Sequence, residues 1–412
     1  MNPLFIGYTR FSVHQYNSGS FNATSRNQFS EEDYTNWLYA DDRLAPRTEI
    51  FIDESLPQLA ESSGECEIVH IVTISPSLPQ KYRDALEHAR SRYKFLRIYE
   101  TKKRAAPSHP NLGLVRTFLA KRNMQGKVFG MYRLDDDDVL PIDFFARMTP
   151  YVDPGHVGYR VSLPQGIAAV RTGSGYVLPW TTYEAKSSAG FLSVHKFSKD
   201  GKNIHGLENQ RHIRGHQNSD RNFPTVLDAR EPGFFRARHA SQDSTLESTG
   251  GPFYTRTLSR ALEKSRASLD TLAKYYPHVK KATFDSIKDL PQKQNLLEQN
   301  HTCSSEEPIL HDLDGAHILS GRLSRPLAKE ETLALRVRTS GEPSSDSHTW
   351  KEAGFNADRA TGEYIKPLHI DRSSTEVIAV IEPPHGAQVH AFTFEGNTDD
   401  LQLEELQVAP LT

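Results

Sequence analysis

Cysteine is scarce in this chain: 412 residues carry only Cys66 and Cys303. They lie too far apart for any zinc-binding or redox motif, so two unpaired thiols in a reducing compartment are expected. Long apolar runs are missing as well. No stretch approaches the roughly eighteen apolar residues of a membrane span. The N-terminal MNPLFIGYTR has neither the basic n-region nor the long apolar h-region of an export signal. An excess of one charge is also lacking. Lys plus Arg number 49 and Asp plus Glu 52, giving a net charge of −3 and a pI near 6.7. Nucleic acid is therefore not an expected partner, because its binding relies on a basic field. Neither GxxxxGK[ST] nor GxSxG occurs. These absences describe a cytoplasmic protein with no transmembrane segment, leaving open a peripheral membrane contact.

At 37% hydrophobic and 25% charged residues the composition is that of an ordinary globular protein. The length suggests two or three domains. In the first third, PLFIGY (3–8), EIVHIVTIS (67–75), KFLRIYE (94–100) and KVFGMYRL (127–134) read as strands. LPQKYRDALEHARSRY (78–93) and NLGLVRTFLAKRN (111–123) show helical spacing, and EEDYTNWLYADDRL (31–44) suggests one more helix after a polar loop. Alternating strands and helices favour an α/β fold with a mostly parallel, Rossmann-like sheet. Residues 155–180 look like short strands. In 252–290, Leu258, Leu262, Leu269 and Leu272 fall on one helical face, as in an inter-domain helix. Past Asp314, short alternating segments spaced by turns suggest a β-sandwich. The expected domains are residues 1–250, a helical linker 251–304, and a sandwich 305–412.

The chemistry concentrates in YRLDDDDVL (132–140). Four carboxylates directly follow a predicted strand, and open α/β sheets bind ligands beyond the carboxyl ends of their strands. In an extended segment Asp135 and Asp137 would point one way and Asp136 and Asp138 the other. Two carboxylates on one side can share a hard cation, and Mg²⁺ or Mn²⁺ keeps positions open for substrate phosphates. The competing reading is a solvated acidic turn.

NLGLVRTFLAKRNMQGKVFGMYRLDDDDVL resembles the helix, strand and Asp-x-Asp segment of GT-A glycosyltransferases. With TRFSV, SLPQKYRDAL and RLDDDDVL, roughly residues 4–245 are more narrowly similar to the bacterial putative rhamnosyltransferase family. The resemblance does not reach the last third of the chain. It implies a metal-dependent transfer of a sugar, rhamnose or another deoxysugar, from a nucleotide-diphosphate donor to a glycan or lipid-linked glycan acceptor, in bacterial surface polysaccharide synthesis. By position it implies Arg10, Arg116 and Asp135 as nucleotide-binding residues. It likewise implies Asp137, Asp138 and His239, in FFRARHASQDS, as ligands of Mn²⁺ or Mg²⁺. Arg10 and Arg116 could equally form structural ion pairs. His195, His205, His212 and His216 compete with His239, whose ring Gln242 or Asp243 could fix.

An inverting transferase also needs a base for the acceptor hydroxyl. Glu208 in IHGLENQRH, opening a short helix, is the first candidate, ahead of Glu184, Asp220 and Asp243. Two other function classes stay open. One is a non-catalytic carbohydrate-binding or scaffold protein with a degenerate GT-A domain. The other is a phosphoryl or nucleotidyl transferase, which could also use clustered Asp and Mg²⁺.

Overall fold

The computed structural model describes residues 2–18, 30–102, 109–207, 216–242, 252–279, 283–284, 286, 289–291, 293–303, 307–339, 347–358, 360–384, 387–398 and 400–411. Four parallel strands make its centre: β1 (Leu4–Arg10), β2 (Glu67–Ile74), β3 (Leu96–Glu100) and β4 (Val128–Arg133), in the order β3-β2-β1-β4. β1 and β2 are buried almost throughout, as near-continuous apolar strands are when helices cover both faces. The two coverings separate by strand alternation. Phe5 and Val72 join Tyr82, Leu86 and Ala89 of the helix Gln80–Arg92, whereas Leu4, Ile6, Val69 and Ile71 join Val115 and Leu119 of the helix Leu112–Lys121. All four strands and both helices fall where the sequence places them.

A second sheet branches off at the end of β4. The chain turns through the Asp run into β5 (Asp138–Val139). β6 (Arg160–Ser162) extends the first sheet, while β7 (Gln165–Arg171) and β8 (Tyr176–Tyr183) build the second. β9 (Leu192–Phe197) returns antiparallel between β4 and β6, with β10 (Ile204–His205) beside it, and β11 (Thr225–Leu227) lies outside β6. β12 (Phe234–Arg238) then enters the second sheet, parallel to β7 and antiparallel to β5. The fold is thus mixed α/β with a parallel-rich sheet.

Residues 31–44 depart from the single helix expected. Helix Glu31–Leu38 ends, and a second helix, Asp41–Glu49, continues through a π-helical stretch, Ile50–Ser55, into the helix Leu56–Ser62. The leucine stripe of 252–290 is also not one face. Helices Phe253–Leu262 and Leu269–Tyr275 bury Leu258 and Leu272, whereas Leu262 is 46% and Leu269 39% exposed. Between them Arg266 bridges to Trp180, and Ser268 caps the second helix by accepting from the Asp270 amide. The intervening bend breaks the 3.6-residue register on which the stripe depends.

The expected helical linker 251–304 is helical only in its first half. Beyond it, β13 (Thr283–Phe284) pairs with β8. β14 (Gln294–Asn295) and β15 (His301–Thr302) pair with β23 (Gln402–Pro410), so they belong with the C-terminal strands. Those strands are β16 (Ile309–Leu313), β17 (His317–Leu323), β18 (Leu333–Thr339), β19 (Asn356–Ala357), β20 (Tyr364–Pro367), β21 (Glu376–Ile381) and β22 (Val389–Gly396). They form two antiparallel sheets, β14-β23-β17-β21 with β15, and β16-β22-β18-β20-β19. Leu319, Val377 and Leu403 of one share a core with Leu335, Val337 and Phe392 of the other. Among the described residues no helix is long and apolar enough to cross a membrane.

Candidate functional site

The strand order sets the place. From β1 the chain runs outward to β2 and β3, then crosses back to lay β4 on the other side of β1. At such a reversal the connections leave in opposite directions and open a crevice beyond the strands' carboxyl ends. Arg10 ends β1, Arg133 ends β4, and Asp135 follows two residues later.

A buried relay holds that edge. His70 on β2 is fully buried, and burial pushes its imidazole down to about 3, so it is neutral near pH 7. The Thr9 hydroxyl donates to the Leu134 carbonyl at 2.7 Å, which leaves its oxygen to accept from His70 Nε2 at 2.9 Å. The tautomer follows: Nδ1 accepts from the Tyr132 hydroxyl, also at 2.9 Å. Gly7 makes room, since a Cβ there would lie 2.1 Å from His70 Nδ1 and 2.4 Å from the Tyr132 ring. Three strands are thereby tied together directly below the Asp run.

The run itself bends, and the alternation expected of an extended segment is not seen. Asp136 and Asp137 form a turn, the Asp138 amide reaching back to the Asp135 carbonyl at 3.4 Å. A turn is favoured because it spreads the carboxylates among Arg133, Arg47 and Arg236 in a buried setting that would otherwise penalise four adjacent charges. Asp135 takes a forked contact from Arg133, at 2.8 and 3.1 Å, and a hydrogen bond from Ser188. Asp136 meets Arg47 at 2.5 Å and accepts from the Ser12 amide. Ser12 holds a left-handed backbone, φ 42°, a costly conformation for a non-glycine residue that tends to accompany functional sites. Asp138 pairs in register with Arg236 across β5 and β12, at 3.1 Å, and Arg236 also holds Glu184.

Asp137 is held differently. Arg47 Nη1 lies 3.3 Å from its Oδ2, and Gln242 Nε2 and His239 Nε2 each 3.4 Å, so three nitrogens surround one oxygen without a close hydrogen bond. Burial opposes the carboxylate's charge, but Arg47 and His239 outweigh it and keep Asp137 well below the usual range. His239 is 3% exposed. Burial lowers its pKa to about 4, and its Nδ1 hydrogen-bonds Ser241 Oγ at 2.8 Å while, among the described residues, Nε2 has no hydrogen-bond partner. A buried unsatisfied imidazole nitrogen 3.4 Å from a carboxylate oxygen is a pair that could bind neighbouring positions on one divalent cation. Among the described residues no three His, Cys, Asp or Glu side chains converge in that way. An ion held by this pair would complete its shell with water and substrate oxygens, as Mg²⁺ and Mn²⁺ commonly do.

In front of the run opens a cavity of about 610 Å³ lined by six arginines, 10, 43, 47, 133, 236 and 238, and five carboxylates, Asp135 to Asp138 and Glu184. Its size suits a small-molecule ligand. Of the residues singled out from sequence, Arg10, Asp135, Asp137 and Asp138 line it and His239 stands behind Asp137. Arg116 does not. It is exposed on the helix Leu112–Lys121, its Nε donating to the Leu112 carbonyl one turn back. Glu208, His212 and Asp243 lie outside the described residues. Glu184 lines the cavity, Asp220 pairs with Lys186 at the surface, and His195 is buried against Ser193. Sequence reasoning missed Arg47, Arg236 and Arg238. Their signals were spacing: Arg43 and Arg47 stand one helical turn apart, and Arg236 and Arg238 alternate on one strand face.

A sequence profile described as "putative rhamnosyl transferase" matches residues 5–250, which contain every element of this site up to Gln242. The chain belongs to this family. It is a family of glycosyltransferases by that description, and the match ends before the C-terminal sheets. No curated protein sequence matches the chain. Among solved structures, a 4-diphosphocytidyl-2C-methyl-D-erythritol synthase aligns at 9% identity over 56% of this chain and 89% of its own, with a TM-score of 0.28. TarS 1–349 of S. aureus, solved with UDP-GlcNAc, aligns at 9% identity over 65% of this chain and 69% of its own, with a TM-score of 0.27. TarS without that truncation gives 9%, 93%, 72% and 0.26. Likenesses this distant carry no residue or ligand over to this family member.

Proposed function

We propose that this protein is a metal-dependent glycosyltransferase of GT-A type that inverts configuration at the transferred sugar. The donor is a nucleotide diphosphate sugar, rhamnose or another deoxysugar, and the acceptor a glycan or lipid-linked glycan of a bacterial surface polysaccharide, built in the cytoplasm. The observation that carries this reading is the Asp137–His239 pair, with its unsatisfied nitrogen, at the switch point of a family member's sheet. Asp137 and His239 would hold Mn²⁺ or Mg²⁺, with Asp138 close by once Arg236 yields it. The ion supplies Lewis-acid neutralisation of charge on the departing nucleoside diphosphate.

The chain's own residues do the rest. Arg10 and Asp135 orient the nucleotide over the ends of β1 and β4. A carboxylate base takes the proton of the acceptor hydroxyl as its oxygen bonds to the anomeric carbon, while the bond from that carbon to the diphosphate oxygen breaks. Glu208 keeps that role from its sequence context, and Glu184 joins it because it faces the cavity from outside the Asp run. The antiparallel C-terminal sheets form a sandwich that serves acceptor binding or packing.

The test is turnover of a panel of nucleotide sugars with Mn²⁺, with and without EDTA. Chelation or Asp137→Ala should abolish transfer with the fold intact. Full turnover by Asp135→Ala/Asp137→Ala would end the proposal, and binding of donor without hydrolysis or transfer would favour a non-catalytic carbohydrate-binding protein.

A further inference from the structure

Six arginines line the cavity against five carboxylates, and most of the six are already held. Arg133 is committed to Asp135, Arg47 to Asp136 and Asp137, and Arg236 to Asp138 and Glu184. Arg43 donates to Ser12 Oγ at 3.1 Å and the Leu38 carbonyl at 3.1 Å and lies over Trp37. Arg238 lines the same cavity and makes no hydrogen bond or salt bridge among the described residues. Strand geometry explains why. Arg236 and Arg238 project from one face of β12, while Phe235 and Ala237 enter the core on the other. The antiparallel register that sets Arg236 against Asp138 would, if continued, bring Arg238 opposite Asp136. β5 is only two residues long, and the turn before it has swung Asp136 away to Arg47 and Ser12. A guanidinium in a half-buried pocket loses hydration that no hydrogen bond to the described residues restores.

We propose that Arg238 is the anion-gripping residue of this cavity, closing its forked donors on the diphosphate of a nucleoside diphosphate independently of any metal. The identity of that anion rests on the sugar-nucleotide reading given above. The shape of the site does not: five donors in a planar fork match two phosphate oxygens at once, which a lysine cannot do.

Binding of inorganic pyrophosphate to the full chain, measured by calorimetry in EDTA, isolates the anion site from the metal and from turnover. Wild type should bind, Arg238→Ala should bind at least about tenfold more weakly, as expected for a lost charge-assisted contact, and Arg238→Lys should fall between. A second readout separates ligand binding from structure. If Arg238 waits uncompensated for an anion, Arg238→Met should melt no lower than wild type without ligand and should lose the thermal shift that pyrophosphate gives wild type. A wild type that does not bind pyrophosphate, or variants that melt lower yet bind it equally well, would overturn the proposal. Unchanged binding in Arg238→Ala beside intact wild-type sugar transfer would sink Arg238 and leave the transferase reading standing. Lost binding in Arg238→Ala with no nucleotide-sugar turnover by wild type would keep the anion site and sink the transferase reading.

Discussion

Asp137 and its three neighbours carry the same side chain and do different work, because each is held differently. Asp135, Asp136 and Asp138 have close arginine partners, whereas Asp137 Oδ2 is ringed at 3.3 to 3.4 Å by three nitrogens. Replacing Asp137 or His239 with alanine should therefore weaken Mn²⁺ binding, measured by calorimetry, by at least about tenfold, and His239→Ala should not cost the fold its Asp–Arg pairs. An unshifted Mn²⁺ curve with full activity in His239→Ala would remove it from the metal. Glu184 calls for a different measurement. It lines the cavity with a third of its side chain exposed, and in the proposed reaction it is a base for the acceptor hydroxyl. Glu184→Gln should lower transfer by about a hundredfold or more while donor binding holds. Full transfer in that variant would return the role to Glu208. The Asp run and His239 stood out in sequence as residue types able to ligate a cation, and the structure brings Asp137 and His239 together. Of the six cavity arginines only Arg10 stood out: Arg47 lies 89 residues from Asp136, and helical or strand spacing alone does not say which arginine the fold will turn inward.

The elements that were read correctly are those whose pattern is local. β1, β2 and β4 are apolar, β-branched runs bounded by turn residues, and the two helices flanking them repeat at helical spacing. What ties the strands under the site is not local: Thr9, His70 and Tyr132 come from three separate strands, and none of them alone reads as part of a relay. The relay has a pH signature. His70 titrates at about 3 when folded against 6.5 as the ordinary value. Between those values the unfolded chain binds the extra proton, so stability rises with pH there. The contribution is fully present above about 6.5 and is lost as pH falls toward 3. Buried His195, also lowered to about 3 by burial, acts in the same direction. The urea midpoint of wild type should drop on going from pH 7 to pH 4, and a doubly substituted His70→Gln/His195→Gln chain should show a shallower drop. Parallel curves for the two proteins would remove both histidines from the acid limb. Gly7→Ala should destabilise by about 1–3 kcal/mol or more through overpacking against His70 and Tyr132, read by the same denaturation.

At the scale of the whole molecule, the family match and the C-terminal sheets meet across one apolar seam and one capped helix. Val170, Val177 and Leu178 of the second sheet pack with Leu258 and Ala261 of the helix Phe253–Leu262 and with Ile318, Val380 and Ala409 of the C-terminal strands. Glu382, just past β21, accepts from the Tyr254 amide at 3.2 Å and the Thr255 amide at 2.9 Å, at the start of that helix. A carboxylate at a helix N-terminus satisfies amides that have no partner within the helix and meets the favourable end of its dipole. The sequence places a boundary at 305, yet β14, β15 and the buried Cys303 belong to the C-terminal core. Two-residue strands leave no periodic trace, since a partner more than a hundred residues away, β23, creates them. The positions decide how the units can be separated. A fragment beginning at 305 lacks two strands and should fail to fold, whereas one beginning near 290 should give a cooperative melt. In the intact chain, Glu382→Ala leaves two partly buried amides without that acceptor and should cost about 1–3 kcal/mol. Because the helix it caps follows Gln242 by only ten residues to Pro252, the loss should reach the site. Sugar transfer by Glu382→Ala should fall while the isolated C-terminal fragment bearing the same change melts as wild type does. A fragment that loses its own stability would instead make Glu382 an internal support of the C-terminal sheets, with no part in joining them to the site.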